Sequence, residues 1–319
     1  MLDAVGAPVR VLGVPLTRQT GRAYFALQAV AGLLWWVLVA TVPRVRELTL
    51  GNLPPLPIAL ADLILFVAAS MIAAFGVRWA AWAACVWANT VALSMVVYAT
   101  VTTLAGWGAL AMIAAGVGSA IAAILIQRGS FPAHWILLGP LGLREARPAA
   151  RARNILLTAC QLAVFWGLFL VVFPLLLAWI ERRWALGIEV PTAVRVIGVV
   201  ALLAASALGL WSGATMASLG DGTPLPSATA RRLVVAGPYR IVRNPMAVAG
   251  ITQGVAVGLI LGSWIVVVWA ICGSLVWNAI VRPVEERDLE ERFGEPFRAY
   301  RDRVSCWVPR RRPRRIVDS

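Results

Sequence analysis

Two polar motifs in the last third of this 319-residue chain hold the side chains best suited to chemistry. The first reads RRLVVAGPYRIVRNPMAVAG, Arg231 to Gly250. In it Gly237 and Pro238 force a turn, and Asn244-Pro245 marks a second break, with proline suited to the first turn of the helix that follows. Free amides at that helix start, with Arg240 and Arg243 beside them, suit a carboxylate or another anion. The second motif reads RPVEERDLEERFGEPFRAYRDRVSCWVPR, Arg282 to Arg310, and opens on the carboxylate pair Glu285-Glu286, which suits a cation. Asn244 donates and accepts hydrogen bonds but cannot titrate as a base near neutral pH. Arginines beside a membrane helix commonly anchor phosphates, and glutamates at a helix start commonly serve its dipole. What singles these motifs out is their pairing and the segment that joins them.

That segment is about 30 apolar residues broken only at Gly262-Ser263, enough for two membrane-crossing helices and a minimal turn. A tight hairpin returns the chain to the side it left, so both motifs must meet on one face of a bilayer. The rest of the chain supplies further spans. They are expected at Ala23 to Val42, Ile58 to Phe75, Trp79 to Val101, Trp107 to Ile126, Ile155 to Ile180 and Val196 to Trp211, followed by the hairpin helices Ala247 to Leu261 and Trp264 to Val281. The proline-rich PRVRELTLGNLPPLP after the first span is expected to be non-helical. Asp62 is expected near the interface or towards the bundle interior. Asn89 and Thr90 read as interhelical hydrogen-bonding residues, GVGSA within the fourth span as a close-packing surface, and Pro174 as a kink. After Pro283 an amphipathic tail helix should carry Leu289, Phe293, Phe297, Tyr300 and Val304 on one stripe, with a bend near Phe293 where Gly294 interrupts it.

The fold class that follows is all-α: a polytopic membrane helical bundle of about eight transmembrane helices with a cytosolic amphipathic C-terminal helix. Composition agrees, at 60% hydrophobic residues and a mean hydropathy of +0.80. Three regions are expected: an N-terminal four-helix membrane region with its loop at 1–154, a core at 155–309, and a basic tail at 310–319. The net charge of +14 comes from arginine alone, and 15 of the 29 arginines lie between Arg231 and Arg315. Such a balance fits loops facing anionic lipid on the cytoplasmic side, with both termini and the paired motifs there, and no nucleic-acid motif accompanies it. Cys85, Cys160, Cys272 and Cys306 lack metal or disulfide spacing. The lone His134 reads as an interfacial residue, and no metal site is expected.

The two motifs resemble those of the isoprenylcysteine carboxyl methyltransferase and phospholipid methyltransferase superfamily, whose pattern is close to GPYRxxRHPxYxG with a later EExxLxxxFGxxYxxY. The resemblance covers roughly Ile155 to Arg310 and is specific from Arg231 onward. It implies S-adenosylmethionine bound in a cytosol-facing pocket without a Rossmann domain, and a lipophilic small molecule or lipid as acceptor, reached from the bilayer. Gly237, Pro238, Tyr239, Arg240, Asn244, Pro245, Glu285 and Glu286 would then bind the cofactor, with the glutamates at its amino end. Arg243 and Glu286 would be the catalytic pair, Arg243 orienting an anionic acceptor or the cofactor. Asn244 stands where the pattern has histidine and Ala247 where it has tyrosine, which argues against chemistry that needs a proton removed. The same outline is shared by membrane sterol reductases, which use NADPH, and the two departures also fit a non-enzymatic scaffold.

Overall fold

The computed structural model describes residues 9–132, 151–220 and 231–309. The expectations for His134 and for the tail 310–319 lie outside these residues. A short hairpin, β1 (Arg10–Val11) with β2 (Val14–Pro15), pairs Arg10 with Pro15. Apart from this and isolated turns, the described chain is helical, as expected of an all-α polytopic bundle. Among the described residues, seven helices are long and apolar enough to cross a membrane. An eighth apolar helix, Pro245–Leu261, has 17 residues and falls short of the roughly 20 that a perpendicular crossing needs.

The described residues divide into two compact units. The first holds 9–132 and Trp179–Gly187, the second holds 151–178, 188–220 and 231–309. In the first unit α1 (Arg18–Thr41), α2 (Pro43–Leu50), α3 (Pro55–Ala74), α4 (Arg78–Thr102) and α5 (Gly106–Arg128) pack through small residues. Ala73, Ala80, Ala81, Ala84, Ala122 and Ala123 surround Phe25 and Ile126, while large residues such as Leu27 and Leu93 face outward. Helices that gain no hydrophobic drive in lipid associate by such close backbone approach and by hydrogen bonds. GVGSA does what was expected, since a Cβ at Gly116 would lie 2.8 Å from Asn89 Oδ1 and one at Gly118 would overlap the Tyr24 ring.

Buried polar side chains tie this unit together. Gln28 donates to Ser70 at 3.0 Å and accepts from Ser119 at 2.9 Å. Asp62, 6% exposed, faces the interior and accepts from the indoles of Trp36 at 2.7 Å and Trp87 at 2.8 Å. Asn89 donates across to the Gly116 carbonyl at 3.2 Å. Thr90 departs from expectation: its hydroxyl donates to Val86 of its own helix at 2.9 Å, a local acceptor available to any helical threonine. The proline-rich stretch also departs, because Pro43 and Pro55 stand in the first turns of α2 and α3, where no amide donor is required. Gly51, at φ 58, separates the two helices.

In the second unit α6 runs through Arg151–Trp166, a π-helical segment Gly167–Val172 and Phe173–Arg183. Its continuation past residue 178 belongs to the first unit. α7 (Thr192–Leu219) extends beyond the expected Val196 to Trp211 at both ends, starting directly after Pro191 and continuing through SGATMASL. After a 3-10 turn at Gly237–Arg240 come α8 (Pro245–Leu261), α9 (Trp264–Phe293) and α10 (Glu295–Arg303).

The expected helix end at Val281 is absent, and the second hairpin helix runs unbroken through Pro283 to Phe293. A π-helical segment, Trp277–Val281, lies immediately before it, as another lies before Pro174. A π segment replaces the usual bonding pattern with longer-range bonds, so the carbonyl that a proline cannot satisfy is less exposed and the ring has more room. The bend falls at Gly294, φ 55, as expected. Phe297 and Tyr300 beyond it are buried, Leu289 and Phe293 half-buried.

Candidate active site

The site is built where α9 brings the second motif back to the first. Gly237 must be glycine on two counts: its φ of 53 is left-handed, and a Cβ there would lie 3.0 Å from Thr215 Oγ1 and 3.2 Å from Trp211 Nε1 of α7. The turn it opens buries Pro238 and Tyr239 and leaves Arg240 exposed. Four residues on from Arg240, Asn244 caps α8 by accepting from the Ala247 amide at 3.3 Å, and Pro245 takes the first helical position. An asparagine with a proline behind it is a sound helix start, which accounts locally for Asn244 in a place where the superfamily pattern has histidine.

Arg243 joins the motifs. Its Nη2 donates to Glu286 Oε1 at 2.7 Å, and its Nη1 donates to the carbonyls of Arg301 at 2.8 Å and Val304 at 2.7 Å, at the end of α10. Both side chains are largely enclosed, at 12% and 22% exposed, so these charge-assisted bonds escape most solvent screening. The backbone follows: the amides of Arg243 and Asn244 donate to the carbonyls of Ser305 and Cys306 at 2.9 and 3.3 Å. Tyr300 adds a third link, its hydroxyl donating to the Tyr239 carbonyl at 2.6 Å. Together these contacts form a clasp between residues about 60 apart in the chain.

Within the clasp, some polar groups are left without partners. Glu285 makes no hydrogen bond to the described residues, although it lies near enough to Tyr239 to act on that phenol. Arg243 Nε and Trp277 Nε1 are buried donors with no acceptor, and Trp277 lies about two turns before Glu285 on the same helix. Burial first, then the charge of Glu285, raises the Tyr239 pKa well above the ordinary phenol value. Burial raises Tyr300 as well, with Arg243 opposing. Both phenols are therefore neutral at physiological pH and cannot act as bases there. Burial likewise raises the Cys306 thiol, and the guanidinium of Arg282 opposes it.

Of the residues expected to work together, Gly237, Pro238, Tyr239, Arg243, Asn244, Pro245, Glu285 and Glu286 all lie in or beside the clasp. Arg240 points outward from it. Sequence reasoning missed Trp277, the tail backbone at 305–306, and Asn278, which accepts from Arg282 at 2.7 Å and from Trp307 at 3.1 Å. The helical spacing of Trp277 from Glu285 was the only available signal for it. Among the described residues no cluster of three metal-binding side chains occurs.

Residues 194–296 match the family model for phospholipid methyltransferases, a family of the integral membrane methyltransferase superfamily. No curated protein and no solved structure matches the chain significantly. The match takes in the first motif and the opening of the second, and it supports a multi-pass membrane methyltransferase acting on lipid-like substrates.

Proposed function

We propose that the clasp holds S-adenosylmethionine and that the chain transfers its methyl group to a lipophilic acceptor drawn from the bilayer. The observation that carries this reading is the set of unpartnered groups. The amino-acid end of the cofactor is a zwitterion, which needs an acceptor for its ammonium and donors for its carboxylate. Glu285 makes no hydrogen bond to the described residues, while Arg243 Nε and Trp277 Nε1 are buried donors without acceptors among them. Gly237 keeps the turn free of a side chain where it meets α7.

When bound, the cofactor supplies an electrophilic methyl on a sulfonium, so alignment rather than proton transfer carries most of the catalysis. Glu285 would bind the ammonium. Arg243 and Glu286 are engaged with one another and with the tail, so their task is positioning: they fix the turn 237–245 against α9. Asn244 holds the start of α8 and has no proton to exchange near neutral pH. On the arginine distribution, the site and both termini face the cytoplasm, where the cofactor is made.

Calorimetry of the full chain in nanodiscs tests the reading. Saturable S-adenosylmethionine binding is expected. Folded protein that binds none at millimolar cofactor overturns it, and saturable NADPH binding in its place would assign the clasp to reductase chemistry.

A further inference from the structure

The end of α6 and the turn between α4 and α5 meet in the first unit, outside the matched residues 194–296. Arg183 donates through Nε to the Thr100 carbonyl at 2.7 Å and through Nη2 to the Val101 carbonyl at 3.1 Å, anchoring α6 to the end of α4. Trp184 is 4% exposed and donates to the Thr100 hydroxyl at 3.0 Å, and Gly106 leaves it room, since a Cβ there would overlap the Trp184 carbonyl. Three residues of this joint other than glycine hold left-handed backbones: Thr103 at φ 64, Ala105 at φ 57 and Ala185 at φ 53. Such conformations are costly and persist where the surroundings over-determine them, which is common at binding sites. Beside the joint opens a crevice of about 570 Å³, lined by Thr103, Trp179, Arg182, Arg183 and Ala185. Among the described residues no carboxylate lines it.

We infer that this crevice holds the headgroup phosphate of a net-anionic phospholipid, a resident lipid that braces α6 against the α4–α5 turn and is not the methyl acceptor. The acceptors of Arg183 are neutral carbonyls, so its charge is not cancelled by them and its Nη1 donors remain for a ligand. Arg182 brings a second guanidinium to the same wall, and planar guanidiniums match phosphate oxygens with paired N–H donors. A wall with no carboxylate offers nothing to a choline or ethanolamine cation, whereas a glycerol head brings no positive charge to be repelled. Trp179 is 49% and Val101 69% exposed, so apolar surface lies beside the charged groups. An indole at that level suits the junction of headgroup and chain, and a free phosphate would leave both surfaces uncovered. In the proposed orientation α4 and α6 end at the outer surface, where basic residues are not what fixes topology, so adjacent arginines there have another task.

Native mass spectrometry of the full chain in detergent, titrated with phosphatidylglycerol, phosphatidylcholine or diacylglycerol of matched chains, tests this. A single phosphatidylglycerol is expected to stay bound, roughly tenfold tighter than phosphatidylcholine, with diacylglycerol weaker still. Arg182→Gln and Arg183→Gln should each weaken it about three- to tenfold. Arg44→Gln, which removes an exposed arginine paired with Glu47, should leave it unchanged. Arg183 also anchors α4, so Arg182→Gln decides the matter if Arg183→Gln fails to fold. Phosphatidylcholine binding as tightly as phosphatidylglycerol, or an Arg182→Gln chain that retains the lipid as wild type does, would overturn the inference. So would equal losses in Arg44→Gln and Arg182→Gln. Displacement by millimolar inorganic phosphate but not by chloride of equal ionic strength would assign the crevice to a free anion instead. A bound lipid that gains a methyl on incubation with S-adenosylmethionine would make it the acceptor and overturn its resident role. None of these readings depends on the clasp, so a chain that binds no S-adenosylmethionine can still hold this lipid.

Discussion

Adjacent glutamates at the exit of α9 have opposite situations, and that separates what each contributes. Glu286 is tied to Arg243, and removing its charge strands a guanidinium that is largely enclosed. Glu286→Gln should therefore lower stability by roughly 2 to 4 kcal/mol, read as a lower unfolding temperature in nanodiscs. Glu285 has no hydrogen bond to lose. Glu285→Gln should leave the unfolding temperature near wild type while S-adenosylmethionine affinity falls on the order of tenfold to a hundredfold, about 1.5 to 3 kcal/mol. Equal effects of the two variants on both measurements would remove the distinction. The tyrosines of the clasp give a pH signature. Their folded-state pKa values are raised, so the stability they contribute is whole below the ordinary phenol pKa and is lost as pH climbs from there towards the folded values. Unfolding temperature should drop above about pH 10, and Tyr300→Phe should shrink that drop while costing about 1 kcal/mol at neutral pH. The meeting of the two motifs was legible in the sequence, because the hairpin between them implied it; the pairing of Arg243 with Glu286 was not, since Arg243 was expected to orient a ligand. Nor were its bonds to the Arg301 and Val304 carbonyls, since they depend on where α10 ends and no side chain announces a free carbonyl.

At the scale of elements, the spans were legible because each is a long apolar run, and the errors fall where proline was read as a stop. Pro283 sits inside α9 because a π segment precedes it, and Pro43 and Pro55 begin helices instead of breaking them. Proline reports a missing donor; whether the neighbouring backbone can absorb that loss is decided by turns that side-chain type does not specify. Asp62 shows the complementary case, in which a costly residue was recognised and its partners were not. It lies at the junction with the π segment Leu63–Ala68 of α3 and holds two indoles from α1 and α4. Asp62→Leu should leave both indole N–H groups buried and unpaired, destabilising the first unit by about 2 to 4 kcal/mol, measurable as earlier thermal unfolding. A substitution that leaves the unfolding temperature unchanged would show that lipid or water replaces the carboxylate at no cost.

For the whole molecule, orientation rests on arginine. The proposed orientation, with an N-terminus inside and the clasp on the cytoplasmic side, predicts that a phosphatase fused after Ser319 is inactive where a cytoplasmic fluorescent reporter is bright. The reverse pattern would turn the site outward, away from its proposed cofactor. The clasp also sets an order of events during synthesis. Domains of a growing chain organise from the N-terminus onward. Here the turn at 237–245 emerges early, yet its partners at 286 and 301–306 follow only after both hairpin helices have been made. A ribosome paused anywhere before Cys306 therefore carries a chain whose apolar helices can all be threaded into the bilayer while the clasp is still open.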